Sequence, residues 1–145
     1  MAVTPGLGKK LGLKGGMKLL LFRAPEPFAA LLGDLPPGVT IATDVTEEPA
    51  AFDAAVIFVR TRDEIEELAP PGIRATRPTG YLWFAYPKKT GSIRSDISRD
   101  TGWSAVYARG YRPVAQVAID QTWTGYRFRP QALFQSSRKS QAPVD

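Results

Sequence analysis

The sequence predicts a single α/β domain in which a mostly parallel sheet of six strands carries helices on both faces. Residues 19–22 and 54–59 are runs of consecutive apolar side chains, which are typical of strands buried on both faces. Helical patterns stand between most of the strands, so we expect right-handed crossovers and parallel neighbours. The last two strands are separated by too few residues for a crossover, and the sixth strand is therefore expected to run antiparallel.

Two strands and two short helical segments are predicted in the first part of the chain. Gly15 and Gly16 end the first helical turn. Pro25 opens the second, because the missing N–H of proline costs nothing in the first turn of a helix. The second strand is β-branched and ends at Asp44. The predicted bounds are 9–14 for the helical turn, 17–24 for the first strand, 25–32 for the short helix and 39–43 for the second strand.

The rest of the chain contains four further strands and two helices. Thr61 is a plausible N-cap, with Glu64 three residues later, and the run 70–72 (Pro-Pro-Gly) is expected to interrupt the helix that follows. The last strand alternates polar and apolar residues, which is typical of a half-solvated antiparallel edge strand. The predicted strands are 52–59, 81–86, 114–119 and 122–129, and the predicted helices are 62–68 and 95–109.

The domain is expected to span residues 9–130. Residues 1–8 are small and contain Pro and Gly, so we expect a flexible N-terminus. Residues 131–145 form a polar tail that we expect to be disordered. Within residues 1–22 the apolar run is too short for a secretory signal, and no stretch approaches the roughly 18 apolar residues of a membrane span. We therefore expect a cytoplasmic protein that does not enter membranes.

The composition excludes several kinds of catalytic site. The sequence contains no cysteine and no histidine. It therefore has no thiolate or imidazole metal ligand, no Ser-His or Cys-His nucleophile pair and no disulfide. We expect no metal site.

Basic residues are concentrated toward the two ends of the chain. Residues 1–25 carry five basic side chains and no acidic one, and residues 71–145 carry twelve basic against four acidic. The middle, residues 26–70, carries ten acidic side chains against two basic ones, so the net charge is +5. Such asymmetry indicates a face that attracts anionic ligands or nucleic acid, unless the ends pack beside the middle and neutralise it.

Several segments resemble known families. The segments KLGLKGGMKLLL (10–21), FD (52–53) and RPTGYLW (77–83) resemble the beginnings of strands in class I S-adenosylmethionine (SAM)-dependent methyltransferases. Residues 10–130 more closely resemble a bacterial family of short proteins, domain of unknown function 3052, in YPK (86–88), SDISRD (95–100) and DQTWTGYRF (120–128). The methyltransferase resemblance implies a reduced Rossmann-like sheet with strand order 2-1-3-4-6-5. Compared with the methyltransferase layout, the chain lacks one helix and one strand between Asp44 and Phe52.

The turn that would hold the cofactor departs from the methyltransferase pattern. Methyltransferases use a glycine-rich turn after the first strand, because the backbone must approach the ligand closely. Here the turn is RAPEPF (23–28), which contains no glycine, has two prolines without N–H donors and has Glu26 at the helix start. We therefore expect the turn to be closed to a cofactor. Asp44 stands where the resemblance implies a ribose-binding acid, which keeps SAM as the alternative.

Basic and acidic side chains in the second half are further candidates. Asp96 and Asp100 are four residues apart and would share a helix face, either as a general acid and base or as residues that stabilise the helix dipole. Loop and strand cations could contact an anionic ligand or nucleic acid, although a solvated surface explains them equally well. These cations are Lys88, Lys89, Arg94, Arg99, Arg127 and Arg129.

These patterns together favour a non-catalytic binding or regulatory module on a degenerate methyltransferase-like fold, with no cofactor. Two alternatives remain. One is a SAM-dependent methyltransferase-like enzyme that uses Asp44. The other is a nucleic-acid-binding protein that uses the basic C-terminal half of the chain.

Overall fold

Six strands and three helices form the described part of the chain. The computed structural model describes residues 7–25, 28, 35–46, 48–89, 91 and 93–132. The helices are α1 (Leu7–Lys10), α2 (Arg62–Ala75) and α3 (Ser104–Tyr107). The strands are β1 (Lys18–Phe22), β2 (Thr40–Ala42), β3 (Phe52–Phe58), β4 (Thr76–Pro87), β5 (Tyr111–Ala118) and β6 (Trp123–Pro130).

The strands form one mixed sheet in the order β2-β1-β3-β4-β6-β5. The pairs β1–β2, β1–β3 and β3–β4 are parallel. Strand β6 is antiparallel to both β4 and β5. The predicted α/β fold, the strand order and the antiparallel sixth strand are confirmed.

Strand β6 lies inside the sheet, so the prediction that it is an edge strand was wrong. It pairs with β4 on one side and with β5 on the other. The crossover from β4 to β5 leaves a gap one strand wide, and β6 returns into that gap. Residues 123–126 are consequently buried, whereas side chains along β5, at the end of the sheet order, alternate between half-buried and exposed.

Each face of the sheet carries its own hydrophobic core, because successive side chains of a strand point to opposite faces. On the first face, α2 and α3 cover a core that includes Leu20, Ile57, Phe84, Trp103 and Phe128. On the second face, α1 and the segment after it contribute Leu7, Leu11 and Leu13 to a core with Leu19, Val56, Phe58 and Trp83. Helices on both faces were predicted, and the structure shows them.

Helix α2 begins as predicted and continues where an interruption was predicted. The Thr61 Oγ1 accepts a hydrogen bond of 3.1 Å from the Glu64 N–H, and the Glu64 carboxylate accepts one of 2.6 Å from the Arg60 N–H. Pro70 and Pro71 nevertheless lie inside the helix. Each proline removes one backbone hydrogen bond, but its φ suits the helix, and the buried face that includes Ile65 and Gly72 continues across them.

The prediction of a helix over residues 95–109 was wrong for its first part. Ser98 and Thr101 exchange backbone hydrogen bonds of 3.1 and 3.3 Å, and only residues 104–107 are helical. The tight turn brings the Trp103 ring into the first-face core, where 1% of Trp103 is exposed. A helix across residues 98–101 would leave no room for this turn.

Some predictions lie outside the described residues. These are the flexible segment up to residue 6, most of the short helix over 25–32, and the tail from residue 133. Among the residues that the structure does describe, no helix combines the length and the apolar character needed to cross a bilayer.

Candidate functional site

The carboxyl ends of β1 and β2 border a cavity of about 480 Å³, which we call the β1–β2 cavity. Strands β1 and β2 are parallel neighbours, so the segments that follow them emerge at the same edge of the sheet. Strands β2 and β3 lie on opposite sides of β1. Ligands of α/β sheets bind where the strand order reverses in this way. The lining residues are Leu21, Phe22, Arg23, Ala24, Pro25, Thr43 and Asp44.

Arg23 gives the turn after β1 the backbone conformation that a glycine would usually provide. Its φ is 60°, in the left-handed region that residues other than Gly, Asn and Asp seldom adopt. Its guanidinium points toward α2, where Nη2 lies 3.3 Å from the Glu67 carboxylate. What Arg23 adds to the cavity is therefore mainly its strained backbone. Strain of this kind costs about 1–3 kcal/mol and concentrates at functional sites.

The sequence predicts that the turn over residues 23–28 is closed to a cofactor, and the structure describes residues 23–25 and 28 of it. Pro25 lines the cavity without filling it. Glu26 and Pro27, the other residues on which that expectation depended, lie outside the described residues. The expectation of a closed turn therefore stays a prediction.

Asp44 lines the β1–β2 cavity, two residues after the end of β2. Its side chain is exposed, and Oδ1 accepts a hydrogen bond of 2.9 Å from the Val45 N–H. This local hydrogen bond orients the carboxylate at the end of the strand. A carboxylate in this position can accept hydrogen bonds from the hydroxyls of a ribose.

Three of the predicted cations meet at a second cavity. Lys88, Lys89 and Arg99 border a space of about 450 Å³ at the carboxyl end of β4, which we call the β4 cavity. The other lining residues are Tyr86, Ser98, Asp100, Gln116 and Thr124. Burial, together with the neighbouring Tyr126, raises the pKa of the Tyr86 hydroxyl, so this group is protonated at neutral pH.

The remaining predicted cations lie elsewhere. Arg94 is exposed and does not line the β4 cavity. Arg127 is three residues from Thr124 on β6 and so points to the opposite face, where its guanidinium stacks 4.2 Å from the centre of the Tyr81 ring. Arg129, two residues further on, faces the same side as Arg127. Nucleic-acid binding by the full set, which would have to use both faces of the sheet, stays a prediction.

Burial shapes the chemistry of Arg127. Its Nε is buried without a hydrogen-bond partner in the described part of the chain. The same burial lowers the pKa of its guanidinium. Within the fold, Arg127 is a cation packed on the Tyr81 ring.

Asp96 and Asp100 do not form the predicted pair on one helix. The Asp96 Oδ1 accepts a hydrogen bond of 2.8 Å from the Arg62 N–H, which satisfies a free donor at the start of α2. Asp100 lies in the 98–101 turn, where its Oδ1 is 3.7 Å from the Arg99 Nε. The predicted shared helix face was wrong, because the chain turns between the two residues instead of continuing a helix.

Several lining residues escaped the sequence analysis. Arg23 and Thr43 stand at the carboxyl ends of predicted strands, and that position is a signal for them. Gln116 and Thr124 lie within predicted strands, so their positions did not indicate a site. They reach the β4 cavity only because β5 and β6 pair beside β4.

Solved structures of similar fold include SAM-dependent methyltransferases. A SAM-dependent methyltransferase from Aquifex aeolicus matches 86% of this chain and 93% of its own at 15% identity, with a TM-score of 0.52. DhpI in complex with SAH matches 87% and 83% at 12% identity, with a TM-score of 0.56. The PH0226 protein from Pyrococcus horikoshii matches 87% and 86% at 12% identity, with a TM-score of 0.57.

These likenesses establish the methyltransferase-type Rossmann fold and, at such low identity, the fold alone. No protein-family model and no curated protein matches the chain. The resemblance to class I methyltransferases therefore has structural support, whereas the closer resemblance to domain of unknown function 3052 has none. Nothing in the comparisons points to a non-catalytic module.

Proposed function

We propose that this protein binds SAM in the β1–β2 cavity and acts as a SAM-dependent methyltransferase. The observation that carries this proposal is the cavity at the reversal of the strand order, with the exposed Asp44 in its lining. The fold shared with SAM-dependent methyltransferases supports it. The proposal adopts the alternative from the sequence analysis in place of the non-catalytic module.

The residues of the cavity fit the chemical groups of SAM. Asp44 would accept hydrogen bonds from the ribose hydroxyls, as acidic residues do at the ends of strands in Rossmann-like folds. Leu21, Phe22 and Ala24 supply apolar wall at the end of β1. A volume of about 480 Å³ lies within the range of small-molecule sites.

The missing glycines do not argue against this fit. Glycine serves a nucleotide-binding turn through its left-handed φ and through its small size. Arg23 supplies the φ, and the ion pair with Glu67 directs its side chain toward α2. Ala24 is the smallest residue after glycine. Arg23 and Ala24 would therefore take over the two roles that glycine has in such a turn.

The chain's contribution would be binding, orientation and exclusion of water. SAM, when bound, supplies a methyl group on a positively charged sulfur. Asp44 would hold the nucleoside end of the molecule, and the apolar wall would exclude water from its other side. The acidic side chain also provides favourable electrostatics for a cationic ligand.

Isothermal titration calorimetry with SAM and with SAH tests the proposal. The wild-type protein should bind both ligands, and the Asp44→Asn variant should bind each about tenfold more weakly or worse, which corresponds to about 1.4 kcal/mol. Asp100→Asn is a matched control, because it removes an exposed carboxylate that does not line the β1–β2 cavity. It should bind both ligands with wild-type affinity.

Absence of binding by the wild-type protein at millimolar SAM would return the function to a non-catalytic module. Equal losses of affinity in Asp44→Asn and Asp100→Asn would show that the net charge of the protein, and not the Asp44 carboxylate, determines ligand binding. Detection of methyl transfer then requires an acceptor. Binding alone already separates the two hypotheses.

A further inference from the structure

The β4 cavity gathers cationic side chains from two separate segments of the chain. Lys88 and Lys89 follow β4, and Arg99 comes from the 98–101 turn. Among the described residues, none lines both this cavity and the β1–β2 cavity. It is therefore a second candidate site, independent of SAM.

Hydrogen bonds to backbone carbonyls hold these segments in place. The Lys88 N–H donates to the Thr122 carbonyl at 2.8 Å, and the Gly91 N–H donates to the Lys88 carbonyl at 3.0 Å. On the other side, the indole Nε1 of Trp103 donates a hydrogen bond of 2.7 Å to the Ser98 carbonyl. These hydrogen bonds fix the backbone of both segments beside the cavity.

Positive charge is in excess around the cavity. The described part of its lining contains the three cations and one carboxylate, that of Asp100. The Arg99–Asp100 contact is 3.7 Å long, and 66% of the Arg99 and 81% of the Asp100 side chain are exposed. An ion pair this exposed is worth little, so it does not neutralise the site. Holding like charges together is unfavourable, and a bound anion would relieve the repulsion.

Neutral hydrogen-bond donors complete the lining. Tyr86, Ser98 and Thr124 each carry a hydroxyl, and Gln116 carries an amide. The oxygens of a phosphate group accept hydrogen bonds from such donors and from lysine and arginine. The Tyr86 and Thr124 side chains stand on the first face of β4 and β6, directly opposite each other. A ligand at this place would meet donors on its floor and cations at its rim.

We propose that the β4 cavity binds a small molecule that carries a phosphate group. The cations and the neutral donors match the charge and the acceptor oxygens of a phosphate. The volume of about 450 Å³ accommodates a small organic molecule in addition to the phosphate itself.

Calorimetric titration with inorganic pyrophosphate at low salt tests this site. The wild-type protein should bind it, and Lys88→Ala/Lys89→Ala should bind about tenfold more weakly or worse, about 1.4 kcal/mol. The matched control is Lys9→Ala/Lys10→Ala, which removes two exposed lysines from α1 on the second face of the sheet. This control should retain wild-type affinity.

A second variant guards against a folding defect. Gln116→Glu places a carboxylate in the lining at an exposed position and leaves every cation unchanged. It should weaken pyrophosphate binding to a similar degree while its thermal unfolding midpoint stays at the wild-type value. Wild-type affinity in this variant would overturn the proposal.

Three other outcomes would overturn it as well. The first is no binding of pyrophosphate by the wild-type protein at millimolar concentration. The second is an equal loss in the two double-lysine variants, which would indicate a general charge effect. The third is binding of a single-stranded oligonucleotide that pyrophosphate does not displace, which would favour nucleic acid. None of these outcomes bears on SAM binding in the β1–β2 cavity.

Discussion

The indole Nε1 of Trp83 donates a hydrogen bond of 2.9 Å to the carbonyl of Leu11, 72 residues earlier in the chain. Both residues belong to the second-face core, and Trp83 is 2% exposed. The bond fastens the segment after α1 to the middle of β4. The indole N–H and the Leu11 carbonyl are both buried, and this bond gives each of them a partner.

Replacement of Trp83 should lower the free energy of unfolding by more than the smaller size of the new side chain explains. Trp83→Phe removes the donor and leaves the Leu11 carbonyl unsatisfied, which we expect to lower the free energy of unfolding by about 2–4 kcal/mol. Trp123→Phe is a suitable comparison, because Trp123 is buried in the same core. Urea denaturation should show the larger loss for Trp83→Phe. Equal losses would mean that the hydrogen bond to Leu11 adds nothing.

Asp53 should make stability depend on pH in the acid range. A hydrogen bond from the Lys18 N–H does most to lower the pKa of Asp53, burial opposes it, and the Arg77 guanidinium at 2.8 Å lowers it further. Because the folded pKa lies below the unfolded value of 3.8, the carboxylate contributes fully above that value. Its contribution is lost as the pH falls through the folded pKa.

The measurement is the free energy of unfolding in urea between about pH 5 and about pH 2. Asp53→Asn should lose stability less steeply than the wild type over this range. Glu66→Gln removes an exposed carboxylate from α2 and should follow the wild-type curve. If Asp53→Asn also follows it, Asp53 does not supply the pH dependence.

The left-handed backbone of Arg23 predicts an unusual order of variant stabilities. Arg23→Ala and Arg23→Gly both remove the exposed ion pair with Glu67. Only glycine relieves the strain of φ = 60°, so we expect the glycine variant to be more stable than the alanine variant by about 1 kcal/mol. Ala50, with φ = 55°, offers a parallel test, because Ala50→Gly should also be stabilising. Greater stability of the alanine variant at position 23 in thermal unfolding would contradict the assigned strain.

Gly72 brings α2 close to the sheet at Ile57. A Cβ at position 72 would overlap the Ile57 Cδ1, so Gly72→Ala should lower the free energy of unfolding by about 1–2 kcal/mol despite the better helix propensity of alanine. Ile57→Val removes that Cδ1 and should cost about 1 kcal/mol alone. The double variant should lose less than the sum of the two losses, as a double-mutant cycle in urea would show. Strict additivity would mean that the two side chains do not meet.

Much of the fold could be predicted because its signals are local. Strands β1 and β3 are runs of apolar residues, and such runs form strands that helices cover on both faces. The cap of α2 was predictable because Thr61 and Glu64 are three residues apart in the sequence, and the Glu64 N–H donates to the Thr61 hydroxyl. The prolines of α2 misled, because the packing of the helix against β3 and β4 outweighs two missing hydrogen bonds.

The candidate sites were predictable to a smaller extent. Asp44 was found because it follows directly on a predicted strand, and the carboxyl ends of parallel strands share one edge. The left-handed φ of Arg23 was missed, since an arginine in that conformation has no sequence signal. The sequence offers no way to tell which of the six basic candidates lie close together in space. The sheet separates them, because residues 124 and 127 of one strand point to opposite faces.

The amino-acid sequence by itself determined which segments become strands, where α2 starts, and which catalytic groups are absent, because these depend on residue identity and on contacts within a few positions. Only the tertiary structure decided that residues 123–126 are buried, that the Arg23 backbone is left-handed, and that Lys88, Lys89 and Arg99 share a cavity. Each of these depends on contacts between residues far apart in the chain, and such contacts form only when the whole sheet packs.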